Sequence, residues 1–386
     1  MDFNGLLGSF CALKNVLILS EQIPHSVSAG NIQLLRLFAD YPADKLLVIG
    51  PPVPEGAAKL NCRYEALVPP FTRLNTSRLN VWKRSARALG WVPAVSPARI
   101  RRLLQGFQPD LVLTLMENSD FYEAAERFCR AEKLPLHLIV HDTNEDFEPV
   151  FCWAKGLQLA KDRRIYQFAK ERFCISPEMA TYNEQRFGAP GKVLYPIPDP
   201  KVQARPLEWS RELRQPPHLT LGYAGATAYG YGEMMVKMLP ALEKAGVRLE
   251  LCCPKPSGRV AGLLQSPVVK WHGYQQTPAA AIRLLQDRCD VLWLPYLDPA
   301  GSYERLYSTH FPSKLADYAA AGMPVWVSGP ECATGVGFYR KNVPGVDPDP
   351  ENVPQIIKQL NYPEERLKLA MKVIELEKAF VKRDFL

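Results

Sequence analysis

Residues 311–325 read FPSKLADYAAAGMPV, the most informative pattern in the chain. It predicts a loop, a short helix beginning near Ser313 and a following strand, because Gly322 ends helices and Pro324 cannot continue one. The unbonded N–H groups of the first helical turn and the positive end of the helix dipole favour a phosphate there. Asp317 lies one turn further along the same face, where its carboxylate could accept hydrogen bonds from ribose hydroxyls. The same stretch also fits an ordinary helix-to-strand connection.

Short apolar runs alternate with helical patterns along the whole chain. Continuous apolar runs, each followed by a helix, indicate parallel strands that are buried on both faces. A proline-rich stretch between 196 and 217 separates two such series and predicts two Rossmann-like α/β domains, 1–200 and 201–363, facing a cleft. The predicted strands lie at 16–19, 46–49, 111–115, 136–140 and 173–175, and then at 219–223, 249–252, 268–271, 291–294 and 324–327.

The bulk composition is that of a soluble protein of more than one domain. The chain has 386 residues, of which 47% are hydrophobic and 23% charged, and no apolar run is long enough to span a bilayer. The first residues lack the basic cluster of a secretory signal, so we expect a cytoplasmic location. Nine cysteines without a C-x-x-C pair and six scattered histidines predict neither a disulfide framework nor a metal site, and no cofactor is expected.

The net charge of +7 is unevenly distributed. Residues 66–109 contain eight basic residues and no acid, which predicts an anionic partner unless the segment is only a solvated face. With no nucleic-acid motif beside it, an anionic membrane surface or a phosphorylated acceptor is the favoured partner and nucleic acid is not expected. If residues 80–89 are helical, Lys83, Arg84 and Arg87 share one side of that helix and would form the contact, which places the protein at the inner face of a membrane.

Residues 311–325 resemble the donor-site helix of retaining GT-B-fold glycosyltransferases, above all glycosyltransferase family 4. In that family a Pro-x-Lys-x-x-Glu-Tyr pattern precedes an Ala-Gly-x-Pro-Val turn. The resemblance implies a GT-B fold in which a C-terminal helix, 364–386, returns to the first domain. Further similar segments follow in the expected order at 28–31, 141–142, 176–179, 191–196, 222–225 and 290–296.

The resemblance also implies a set of site residues. His141, which follows an apolar strand, matches the residue that contacts the donor sugar and is the predicted catalytic residue. Gly30 and Asn31 match the loop between the donor phosphates and the acceptor. The predicted donor-binding residues are Gly225, Ala226, Thr227, Tyr274, Arg305, Thr309, Ser313, Lys314, Leu315 and Asp317.

Two positions depart from the family pattern. The turn at 225–232 normally brings a basic pair to the phosphates, but here it has no basic residue. Lys314 is a candidate for the missing cation, and Arg305, Arg259 and Lys255 are alternatives on neighbouring loops. Thr309 stands where many members carry an acid that binds the sugar, so the identity of the sugar is open.

The sequence therefore predicts a retaining glycosyltransferase. It would move a hexose-type sugar from a UDP-sugar or GDP-sugar to a glycan, lipid-linked or small-molecule acceptor, without a metal. Two alternatives remain open at this stage. One is a non-catalytic relative that binds nucleotide sugars or glycans, and the other is a sugar-nucleotide epimerase, which needs cleft carboxylates and histidines that the sequence does not assemble.

Overall fold

The computed structural model describes residues 13–69, 79–92, 95–117, 119–142, 150–297, 304–345, 349 and 352–380. The chain divides into two compact units. The first contains the described residues up to Phe173 together with Asn183–Lys192, and the second contains Cys174–Tyr182 and the described residues from Val193 onwards.

The strands of the first half of the chain form a seven-stranded sheet in the order β3-β2-β1-β4-β5-β6-β7. The four pairs from β3 to β5 are parallel, and strands β1, β2, β4 and β5 are buried along their whole length. The elements are β1 Val16–Leu19, α1 Ala29–Leu37, β2 Leu46–Gly50, β3 Arg63–Ala66, α2 Asn80–Ala88, α3 Pro97–Leu104, β4 Leu111–Leu115, α4 Asp120–Glu132, β5 Leu136–Val140, α5 Lys155–Phe168, β6 Glu171–Cys174, α6 Pro177–Phe187 and β7 Lys192–Val193.

The second unit is built on a five-stranded sheet in the order β10-β9-β8-β11-β12, in which every pair is parallel. Strand β8 is central and is the first strand of this sheet along the chain, so the turn that follows it lies at the point where the strand order reverses. The elements are β8 Thr220–Ala224, α7 Tyr231–Lys244, β9 Arg248–Cys252, β10 Val269–Trp271, α8 Pro278–Arg288, β11 Val291–Pro295, α9 Glu304–Thr309, α10 Ser313–Ala320, β12 Val325–Ser328, α11 Thr334–Asn342, α12 Val353–Asn361 and α13 Pro363–Glu377.

The predicted class, two α/β domains with parallel sheets, is confirmed. Helix α10 begins at Ser313 and ends before Gly322, whose φ of 65° is the left-handed conformation that stops a helix. The predicted C-terminal helix corresponds to α13, which packs against α10 and α12 in the second unit. Its return to the first domain stays a prediction, as do the predicted boundaries after residues 200 and 363.

The expectation of an exposed basic face on α2 is wrong for two of its three residues. Lys83 is 4% exposed and Arg87 is 3% exposed, and both contact the buried carboxylate of Asp120. Sequence counting missed this pairing because Asp120 lies outside the basic segment, at the beginning of α4. Another counter-acid, Glu132, pairs with Arg101.

Contact of residues 66–109 with an anionic membrane stays a prediction, but the buried Lys83 and Arg87 are no longer part of the expected contact. Trp82 and Trp91 on this segment are largely exposed. Among the described helices, none is both long and apolar enough to cross a bilayer. Within the same ranges, no group of three or more histidine, cysteine or acidic side chains converges as metal ligands.

The buried cluster on α4 gives a prediction about stability. Asp120→Ala leaves two buried cations without their carboxylate, and we expect it to lower the free energy of unfolding by about 3–5 kcal/mol. Glu132→Ala is the matched control, because the Glu132–Arg101 pair is largely exposed and such pairs contribute less than about 1 kcal/mol. Urea denaturation of both variants measures the difference, and equal losses would contradict burial of the Lys83–Asp120–Arg87 cluster.

Candidate functional site

The turn after β8, residues 225–230, is held by hydrogen bonds to every one of its carbonyl groups from Ala226 to Gly230. The hydroxyl of Tyr223 donates to the carbonyl of Ala226, and the hydroxyl of Tyr307 donates to that of Tyr229 at 2.9 Å. The remaining three carbonyls accept N–H groups of the first turn of α7: Thr227 from Gly232, Ala228 from Tyr231 and Gly230 from Met234.

The N–H groups of the same turn differ from its carbonyls in their hydrogen bonding. In the part of the chain that the structure describes, the N–H groups of Ala226, Thr227 and Ala228 make no hydrogen bond. Ala226 and Ala228 are exposed, and Thr227 is partly exposed. A turn with bonded acceptors and unbonded donors carries a local positive potential, which favours an anion.

The first turn of α10 supplies further donors. Its residues Ser313 and Lys314 have N–H groups without a hydrogen bond to any described residue. Leu315 belongs to the same first turn, and its N–H was also expected to be available to the phosphate. That N–H is already bonded to the carbonyl of Pro312 at 3.0 Å. Two of the three predicted amides therefore remain available to a ligand at this helix end.

The side chain of Lys314 joins the two anion-binding elements. A Cβ on Gly225 would lie 2.4 Å from Cε of Lys314 and 3.4 Å from Nζ, so the lysine runs directly across the turn. Its ammonium lies 4.4 Å from the ring centroid of Tyr231 and 5.8 Å from that of Tyr223, within the range of cation–π attraction. The glycine at 225 is needed for this approach, since any side chain would displace the lysine.

Lys314 is less basic than an ordinary lysine. Burial lowers its pKa from 10.5 to about 8, and the nearby carboxylate of Asp317 partly opposes that shift. The residue as a whole is nevertheless partly exposed to solvent. Lys314 is thus a cation whose charge an incoming anion would stabilise, because the anion would replace some of the lost hydration.

Asp317 has a structural contact that the sequence did not predict. It is 9% exposed, and its Oδ1 accepts the backbone N–H of Asp199 at 2.8 Å. Asp199 belongs to the proline-rich stretch at 196–200, so the carboxylate fixes that stretch against α10. Its predicted role toward ribose stays a prediction.

Thr309 and Arg305 lie together on α9, next to the donor helix. The Thr309 side chain is buried, and its hydroxyl donates to the carbonyl of Arg305 at 2.9 Å, four residues earlier. The Thr309 carbonyl in turn accepts the hydroxyl of Ser176 at 2.8 Å. The threonine is therefore engaged within the protein, whereas the Arg305 side chain is exposed.

Tyr274 lies in the loop after β10 and is 68% exposed, so its ring is accessible for stacking. The neighbouring His272 is paired with the buried Glu250. Lys255 and Arg259, two of the candidate cations, are exposed residues after β9. Of the four candidates, Lys314 is the one for which a close approach to the turn is observed.

The predicted residues of the first unit lie on two different elements. His141 directly follows β5 and is partly exposed. Gly30 and Asn31 were expected in a loop, but they lie in the first turn of helix α1. The Oδ1 of Asn31 accepts the N–H of Ile23 at 2.8 Å, and its Nδ2 donates to the carbonyl of Val27 and the hydroxyl of Ser28. Gly30 lies under the side chain of Gln22, whose Oε1 would be 1.5 Å from a Cβ at position 30.

Sequence reasoning missed Glu117, which shapes the loop before α1. This buried carboxylate, two residues after β4, accepts the hydroxyl of Ser20 and the N–H groups of Glu21 and Gln22 at 3.1–3.2 Å. An acid just after an apolar strand is the signal that could have identified it. Tyr223 and Tyr307, whose hydroxyls bond to the 225–230 turn, were also missed, because the sequence does not distinguish them from ordinary aromatic core residues.

Comparison with solved structures places this architecture among GT-B proteins. The chain is similar to sucrose-phosphate synthase from Thermosynechococcus elongatus, with a TM-score of 0.64, 16% identity, and coverage of 95% of this chain and 94% of the other. An E. coli trehalose-6-phosphate protein bound with UDP-2-fluoro-glucose gives 0.59, 12% identity, and coverage of 95% and 96%. A glycosyltransferase from Rickettsia africae gives 0.59, 10% identity, and coverage of 94% of each chain.

No protein-family model matches the chain, and no curated protein matches it. At 10–16% identity, the structural similarities establish the fold: two parallel-sheet α/β domains of GT-B type over nearly the whole chain.

Proposed function

We propose that the protein is a glycosyltransferase that takes its sugar from a nucleoside-diphosphate sugar. The observation that carries the proposal is the turn at 225–230, with bonded carbonyls and unbonded amides, lying beside Lys314 and the amino end of α10. The similar solved structures support the proposal, because they include a protein bound with UDP-2-fluoro-glucose. A diphosphate offers oxygens both to the turn and to the helix end.

The chemistry that this site would perform is stabilisation of the leaving group. When the bond between the sugar and the diphosphate breaks, negative charge develops on the phosphate oxygen, and fixed donors aimed at that charge lower the barrier. The amides of the turn, those of Ser313 and Lys314, and the Lys314 ammonium are such donors. Loss of a single donor of this kind ordinarily costs about 10²–10³ in rate.

The remaining residues take roles around that centre. Asp317 would accept a ribose hydroxyl, Tyr274 would meet the base, and Arg305 would lie on the phosphate or sugar side. His141 of the first unit would contact the sugar, with Gly30 and Asn31, in the first turn of α1, toward the acceptor. A hexose-type sugar, transfer with retention, a UDP or GDP donor, and a glycan, lipid-linked or small-molecule acceptor follow from the resemblance of residues 311–325.

A second candidate is a protein of the same fold that binds a nucleotide sugar without transferring it. The observation that favours it is Thr309, since its hydroxyl is bonded to its own helix where the resembled family often has an acid for the sugar. Both candidates require nucleotide binding. Measured turnover of the sugar nucleotide separates them.

A nucleotide screen tests the proposal. We expect one of UDP, GDP, ADP and TDP to raise the melting temperature, because a ligand at a hundredfold excess over its Kd stabilises the folded state by about 2.7 kcal/mol. The matching nucleoside should act much more weakly, since it lacks the phosphates. A thermal shift assay with wild type and Lys314→Met measures both effects, and wild-type protein that responds to none of the four would sink the proposal.

Asp317→Ala should weaken binding of the nucleotide found in that screen by about 1–3 kcal/mol, because the ribose loses a charged acceptor. Asp317→Asn is the companion variant, as it keeps an acceptor for the Asp199 N–H but loses the charge. Calorimetric titration of both separates the two contacts. Weakening in the alanine variant alone would assign the effect to the 196–200 stretch, and unchanged affinity in both would remove Asp317 from the site.

His141→Ala should impair turnover much more than binding of the free nucleotide, since its proposed partner is the sugar. The test compares kcat/KM for the sugar nucleotide with the Kd of the nucleoside diphosphate. Equal losses of the two quantities would contradict this assignment, and unchanged turnover would show that His141 has no part in the reaction.

A further inference from the structure

We propose that Tyr223 and Tyr307 are positioning residues that hold the 225–230 turn in its anion-binding conformation. This inference rests on the proposed function, because the ligand that they would serve is the diphosphate. Tyr223 comes from strand β8 and Tyr307 from helix α9, so two separate elements fix one turn.

The two hydroxyls bind carbonyls of the turn that do not accept from α7. Three carbonyls of the turn bond to N–H groups of α7, and the other two, those of Ala226 and Tyr229, accept the hydroxyls of Tyr223 and Tyr307. Both tyrosines are buried, with exposures of 0% for Tyr223 and 3% for Tyr307. A buried tyrosine hydroxyl ordinarily finds a partner, and here that partner is the backbone of the turn.

The contact of Tyr307 falls where the backbone is strained. Tyr229 has a φ of 58°, a left-handed conformation that few residues other than glycine adopt. A Cβ at position 230 would lie 2.2 Å from the Tyr307 hydroxyl, so the glycine there makes room for it. The hydrogen bond from Tyr307 therefore helps to hold a conformation that the chain would otherwise tend to leave.

The two tyrosines would affect ligand binding indirectly, through the orientation of the peptide units of the turn. The carbonyl of Ala226 shares a peptide unit with the N–H of Thr227, so the bond from Tyr223 keeps that N–H on the opposite side, toward an anion. The bond from Tyr307 fixes in the same way the peptide unit that joins the Tyr229 carbonyl to the Gly230 N–H. Without these bonds, a peptide unit could rotate and present its carbonyl oxygen to the phosphate, which repels it. Neither tyrosine needs to touch the ligand.

Removal of single hydroxyls tests the proposal. Tyr223→Phe and Tyr307→Phe keep the aromatic ring and lose one hydrogen bond to the turn. We expect each to weaken binding of inorganic pyrophosphate about three- to tenfold, the effect of one ordinary hydrogen bond, and to speed hydrogen exchange in residues 225–232. Calorimetric titration and exchange mass spectrometry measure the two effects.

Tyr339→Phe is the matched control. Tyr339 is a buried tyrosine of the same unit, on helix α11, and its hydroxyl donates to the carbonyl of Val325, away from the turn. All three variants should lower the melting temperature by a similar small amount, but pyrophosphate affinity should fall in the first two alone.

The outcomes distinguish this inference from the proposed function. Pyrophosphate binding that survives both changes at Tyr223 and Tyr307 overturns the positioning role and leaves the proposed function intact. An equal loss in Tyr339→Phe also overturns it, because the effect would then be general destabilisation. Wild-type protein that binds neither pyrophosphate nor a nucleoside diphosphate overturns the proposed function, and the positioning role falls with it.

Discussion

The candidate site is built on one constraint, the separation of hydrogen-bond donors and acceptors in the backbone turn after β8. Its carbonyls from Ala226 to Gly230 are bonded to tyrosine hydroxyls or to helix α7, while the N–H groups of Ala226, Thr227 and Ala228 have no partner among the described residues. These residues are exposed or partly exposed, so their N–H groups are accessible to water or to an anion. The parallel sheet places it at the carboxyl end of a central strand, where ligands of such sheets bind.

Lys314 explains how this turn can act without a basic residue of its own. The lysine comes from helix α10 and crosses Gly225, so under the proposed function the turn and the helix end would serve one diphosphate. Two tyrosine rings support the ammonium, and burial lowers its pKa to about 8. Such a lysine is mostly protonated below that pH, and above it the binding of an anion would be linked to the uptake of a proton.

Much of the fold could be predicted, since periodicity and apolar runs are local properties. The strands at 16–19, 111–115 and 136–140 and the beginning of α10 at Ser313 agree with the sequence pattern. The short polar edge strand β3 was missed because half-exposed residues carry no apolar signal. The errors at Lys83 and Arg87, and the contacts of Asp317 with Asp199 and of Thr309 with Arg305, share another cause. Each depends on which groups the folded chain brings together, and neither composition nor spacing contains that information.

The most direct test is the pH dependence of nucleotide affinity in wild type and in Lys314→Arg. Below pH 8, Lys314 is charged before and after binding, so affinity should be constant; above it, binding must add a proton and affinity should fall. Calorimetric titration with the nucleoside diphosphate that binds best, at pH 7 and pH 9, should give a loss of up to about tenfold per pH unit above the pKa in wild type. The arginine variant stays charged and should show no such loss. A wild-type affinity that is the same at both values, or an equal decline in both proteins, would contradict the role of Lys314 as the cation of the site.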